Sequence, residues 1–141
     1  MPIGHRGGLT SGGSGKAILA YMAPEERNRV LAAEALIPLT PFTLTTPEAL
    51  EVELGRIRRR GYSIDDQEVV MGVYCVSVPL LDRLARPMGA VSISGPSVKA
   101  PGPEVQPLVE MLNEACEHVS RRLGYAGVWP PVESAARSDA A

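Results

Sequence analysis

At Gly61 the apolar residues of this chain change their spacing, and that change limits what the chain can fold into. Before it, Leu50, Leu54 and Ile57 recur at intervals of four and three, the period of a helix with one buried stripe. After it, Tyr62 to Val70 and Val73 to Pro79 read as strands with Gly72 as a turn or bulge between them. Leu80 to Pro87 connects these to a third strand, Met88 to Ser94. Helical spacing then returns in Val105, Leu108, Val109, Leu112, Cys116, Val119 and Leu123, and Gly124 ends it. Helices first, three strands in succession and a covering helix predict an α+β domain with an antiparallel sheet.

The helices ahead of Gly61 carry clear start signals. Lys16 to Met22 is a short apolar helix with Ser11 or Ser14 as its cap. Pro24-Glu25-Glu26 begins a second that runs to about Ala35, because proline suits the first helical position and carboxylates suit the positive end of the helix dipole. Thr46-Pro47-Glu48 begins the third by the same chemistry, and the Pro- and Thr-rich stretch from Ile37 to Thr46 before it predicts irregular backbone. Arg56, Arg58, Arg59 and Arg60 crowd the end of that third helix, where cations favour the dipole, so the basic run reads as a solvated helix terminus.

At 141 residues the chain is long enough for one hydrophobic core, and its net charge of −2 argues against a nucleic-acid-binding face. No apolar run approaches a membrane span and no signal peptide precedes the domain, so a cytoplasmic location is expected. Cys75 and Cys116 lie on different elements without metal-ligand spacing, which predicts reduced thiols. The tail from Tyr125 to Ala141, rich in Pro, Ala and Ser, predicts disorder. Three strands would leave a sheet edge exposed, and the abrupt start at a glycine loop points to a fragment of something larger.

The stretch "TSGGSGKAIL" invites comparison with a phosphate-binding loop, G-x-x-x-x-G-K-[ST]. It fails twice. Thr10 stands where the first glycine belongs, and Ala17 stands where the metal-binding hydroxyl belongs. What survives is a helix N-terminus with small residues, which still offers backbone N–H groups to an anion.

Strand parity then divides the sheet. Val73, Cys75 and Ser77 share one face with Ala90, Ser92 and Ser94 if the second and third strands are antiparallel neighbours; Tyr74, Val76, Val78, Val91 and Ile93 share the other. The apolar face should meet the last helix. The other carries a thiol and hydroxyls on small side chains, and suits either solvent or a ligand pocket. Asp65 and Asp66 point to opposite faces, so they cannot act together on one substrate atom. His5 and His118, the only histidines, are expected at the surface. With no nucleophile–base pair visible, no catalytic residue, cofactor or metal is expected.

Four segments in order, "SGGSGKAILAYM", "PLTPFTLTTPEAL", "RIRRRGYSIDDQEVVMGVYCVSVPL" and "GAVSISGP", resemble the C-terminal effector-binding domain of bacterial regulators of the isocitrate lyase regulator (IclR) family. The resemblance covers residues 9–124. It implies a GAF-like, profilin-like α+β domain whose antiparallel sheet is flanked by helices, here lacking the family's opening strands. It also implies a pocket for a small-molecule effector, often an organic or aromatic acid, in a homo-dimer or tetramer. Operator DNA would be bound only through an N-terminal winged helix-turn-helix domain that this chain does not contain. Matching the family's pocket positions to this chain implies effector binding by Gly13, Ser14, Asp65, Cys75, Ser92 and Ser94. The chain departs from the family at Leu9-Thr10-Ser11, where a His-Ala-Thr/Ser type stretch is usual. An assembly module without a working pocket is the competing expectation; an enzyme has less support than either.

Overall fold

The computed structural model describes residues 3–4, 6–96 and 102–133. Its elements are α1 (Gly13–Tyr21), α2 (Pro24–Ala33), α3 (Pro47–Arg60), β1 (Ser63–Asp66), β2 (Tyr74–Leu81), β3 (Pro87–Gly95) and α4 (Val105–Arg122). The α+β class expected from the change of period is the one observed. His5, Pro101 and positions 134–141 of the tail lie outside the described residues.

The three strands form one antiparallel sheet in the order β1-β2-β3. On one face Val76 and Val78 are fully buried beneath Val105, Val109, Leu112 and Cys116 of α4. That is the core expected from the alternation and the last amphipathic stripe. The stripe turns outward near its end, however: Val119 and Leu123 are exposed, and Ser120 is buried instead, its Oγ accepting a hydrogen bond from the Leu81 amide at 3.0 Å. Burial pushes the Cys116 thiol up to about 11, so it remains protonated inside this core.

The opposite face of the sheet meets α1, and α3 stacks behind α1. Leu50, Leu54 and Ile57, the stripe that sets the helical period, close a second core with Leu19 and Ala20. Thr46 caps α3 through its side chain, which accepts from the Ala49 amide, and Gly61 ends it at φ 88°, where only glycine is unstrained. The basic run folds back on the protein: Arg60 pairs with Glu53 at 2.7 Å and lies over the Tyr62 ring, and Arg58 pairs with Glu133 at 3.2 Å.

Three local expectations need correction. Residues 62–70 form a strand only over Ser63–Asp66, because the chain turns sharply at Gln67, whose φ is 58°. Neither Ser11 nor Ser14 caps α1; its N-cap is Gly12 at φ 78°, with no side-chain cap. Composition suggested disorder from Tyr125 onward, yet residues 125–133 lie against the fold. Trp129 packs on the α4 core, Tyr21 donates to the Pro131 carbonyl at 2.8 Å, and the Glu133 amide donates to the Arg58 carbonyl at 3.0 Å. The Trp129 ring, with Tyr125 edge-on to it at 5.8 Å, supplies apolar contact that a Pro-, Ala- and Ser-rich composition does not report.

Candidate functional site

The strand register converts the small-residue face into two rows running across the sheet. Asp65 pairs with Cys75 and Cys75 with Ser94; one step along, Ser63 pairs with Ser77 and Ser77 with Ser92. Both rows therefore point to the α1 side, as strand parity required for Cys75, Ser77, Ser92 and Ser94. They do different things there.

The second row is sealed under α1. Ser63 Oγ donates to the Gly13 carbonyl, the Ser77 and Ser92 hydroxyls share a bond of 2.6 Å, and Ser92 and Ser14 share one of 2.8 Å. Gly13 makes this seam possible: a methyl group built on it would fall 2.5 Å from Ser77 Oγ and 2.8 Å from Cys75 Sγ. Ser92 thus holds the start of α1 to the sheet and does not line the cavity.

The first row borders a cavity of about 1020 Å³. Asp65, Cys75 and Ser94 reach it from the sheet, and Gly12, Gly13 and Ser14 reach it from the first turn of α1. The remaining walls are the glycine-rich segment before α1, the irregular stretch from Glu34 to Leu44, and Val69, Val70 and Val73 of the β1–β2 connection. The first turn of α1 has no side-chain cap and contains no acidic residue, so the positive end of that helix borders the cavity with the Asp65 carboxylate beside its N-cap. A concave site of this size, with apolar walls and a few converging polar groups, has the character of a small-molecule pocket.

Asp65 is the acid that the sheet contributes to the pocket. Its Oδ1 accepts from the Glu68 amide at 2.7 Å, while its partner in sequence, Asp66, lines the other side of β1. Burial holds the Asp65 carboxyl above its ordinary value, against the opposing pull of that amide and of Lys16. The folded state therefore binds this proton more tightly than the unfolded chain does. The stability contributed is full below the ordinary value of 3.8 and is lost as pH rises through the folded value. Asp65→Asn should remove that part of the decline. Urea titrations at intervals from about pH 3 to pH 7 are expected to give a flatter stability curve for the variant than for the wild type.

Two features of the site were not foreseen. Lys16 lies fully buried beside the pocket floor, donating to the Ile64 carbonyl at 2.6 Å and to the Glu68 carboxylate. Its position three and four residues before Leu19 and Ala20, on the buried stripe of α1, was the available signal. Glu34, just past the end of α2, sends its carboxylate back to the Leu9 and Thr10 amides, and nothing in its sequence neighbourhood marks it. Among the described residues no group of three or more His, Cys, Asp or Glu side chains is placed to hold a metal ion.

The family model described as bacterial transcriptional regulator IclR C-terminal matches residues 1–121. The chain is 34% identical over 120 residues to the HTH-type transcriptional regulator BhcR of Paracoccus denitrificans, covering 85% of this chain and 43% of that protein. It is 34% identical over 127 residues to the transcriptional repressor IclR of Escherichia coli, covering 90% of this chain and 46% of that protein. The crystal structure of the Thermotoga maritima IclR superposes with a TM-score of 0.80 at 40% identity, over 89% of this chain and 52% of that one. The chain thus spans less than half the length of these two curated relatives.

Proposed function

The chain belongs to the IclR family of bacterial transcriptional regulators, matching its C-terminal domain, and from that premise we propose that it senses a small organic or aromatic acid and modulates DNA binding by a winged helix-turn-helix domain. One observation carries the reading. The row Asp65–Cys75–Ser94 lies beside the uncapped start of α1, and both line one cavity large enough for such a ligand.

In this reading the Gly13 and Ser14 amides receive the carboxylate at the positive end of α1. Asp65 accepts a hydrogen bond from a hydroxyl or other donor on the ligand, and Cys75 and Ser94 complete a neutral polar lining. Ser92 contributes indirectly, since its bond to Ser14 fixes the helix start that presents those amides. Regulation then requires unequal affinity of the acid for two arrangements of a homo-dimer or tetramer, of which one suits operator DNA. The role is regulatory, and no turnover is assigned to any residue.

A thermal-shift screen of small organic and aromatic acids tests this directly. At least one acid should raise the melting temperature of the wild type and leave an Asp65→Ala, Ser94→Ala variant unmoved. Equal shifts in both proteins, or none in either, would remove the pocket assignment. The competing reading is an assembly module, supported by the outer edge of β3, which pairs with no strand among the described residues and carries no charged residue from Met88 to Gly95. That reading predicts a defined oligomer in sedimentation and indifference to every acid.

A further inference from the structure

The carboxylate of Glu34 already occupies a pair of backbone amides in the wall of this cavity. The Leu9 amide donates to Oε1 at 3.1 Å and to Oε2 at 3.0 Å, and the Thr10 amide donates to Oε2 at 3.3 Å. Gly8 makes room for it: a methyl group there would lie 2.6 Å from Oε2. Glu34 itself sits in extended backbone just beyond α2, and the chain after it forms the cavity wall through Leu36, Ile37 and Leu39. The far end of that wall is anchored separately, by Thr40 donating to the Gln67 carbonyl at 2.7 Å and Thr43 to the Glu68 carbonyl at 2.6 Å. Between those anchors and Glu34, Ile37 and Leu39 remain largely exposed.

The charges around the cavity give this contact a consequence. Among the described residues the charged side chains lining it are Arg6, Glu34 and Asp65, since Lys16 is committed to Glu68 on the far side of the floor. An entering acid therefore meets two carboxylates and one guanidinium. Departure of Glu34 as the acid enters keeps the cavity's charge constant. It also frees amides that this structure shows bound to a carboxylate.

We propose that Glu34 is a latch that the acid must release: its carboxylate holds the wall formed by residues 34–39 against the Leu9–Thr10 amides, and the charge of an acid seated at the Gly13 and Ser14 amides of the same cavity drives it off, releasing that wall. The proposal rests on the pocket reading above and adds its regulation. Acid binding is weakened by the fraction of molecules in which Glu34 is latched, and anything that unlatches Glu34 tightens it.

Isothermal titration of benzoate and of lactate into the wild type, Glu34→Gln and Gly8→Ala separates the possibilities. Glu34→Gln keeps the shape of the side chain and removes its charge; Gly8→Ala keeps the charge and crowds the carboxylate out of its seat. Both variants are expected to bind at least one of these acids about tenfold more tightly than the wild type. Equal or weaker binding by Glu34→Gln would overturn the latch and leave the pocket standing. Tighter binding by Glu34→Gln alone would also overturn it, reducing Glu34 to a distant charge. Binding of neither acid to any of the three proteins would overturn the pocket reading together with the latch.

Discussion

Lys16→Met is expected to destabilise the domain by about 3–5 kcal/mol, read as a lower urea midpoint with an unchanged slope. The reason lies in what the lysine leaves behind. Glu68 is buried, one of its carboxylate oxygens has no hydrogen-bond partner, and the other faces Lys16 Nζ. Burial already pushes the Glu68 carboxyl above its ordinary value although Lys16 pulls it down. Without Lys16 that opposing pull disappears, and the carboxylate must take up a proton or draw water into the core. The methionine itself fits the buried path of the lysine stem, so the loss comes from charge and not from volume. A Lys16→Met, Glu68→Leu double variant should regain most of the stability, because it removes both charges together. It should not regain all of it, since the Ile64 carbonyl also loses its donor. A double variant as unstable as the single one would mean that Lys16 acts through Ile64 and not through Glu68.

This pair also marks a limit of reading the site from sequence. Periodicity reports which face of an element is buried, and it did so correctly for Leu50, Leu54 and Ile57 and for Val105, Val109, Leu112 and Cys116 of α4, because apolar residues on one face have only one place to go. Strand parity grouped Cys75, Ser77, Ser92 and Ser94 for the same geometric reason, and the register bears the grouping out. Neither rule says what lies above a face. The division of those residues into a row open to the cavity and a row closed by α1 depends on where a helix from earlier in the chain comes to rest. Contacts between distant segments carried still less signal. Glu34 meets Leu9 across 25 positions and Lys16 meets Glu68 across 52, and in each case a charged residue that reads as surface is drawn inward by one partner. The segment from Ile37 to Thr46 was legible as irregular, but not as a pocket wall, because its anchors at Gln67 and Glu68 belong to the distant connection between β1 and β2.

Gly13→Ala is expected to cost about 1–3 kcal/mol and to abolish acid binding, although helix propensity alone predicts the opposite sign. Replacing glycine by alanine within a helix is worth up to about 1 kcal/mol in favour of the variant. That gain is smallest in the first turn, where Gly13 stands. Against it, the new methyl group meets Ser77 Oγ at 2.5 Å and Cys75 Sγ at 2.8 Å, and neither can retreat readily, since both residues are buried in the central strand. The start of α1 must lift off the sheet instead. Lifting it strains the Ser14–Ser92 and Ser63–Gly13 bonds and moves the very amides that would receive the acid. If this contact is the cause, the effect must depend on the atoms it meets. In a Cys75→Ala, Ser77→Ala background the same Gly13→Ala change should therefore cost distinctly less, a coupling that urea denaturation of the four proteins would measure. An equal cost in both backgrounds would place the fault in the backbone of α1 and not in its seat on the sheet.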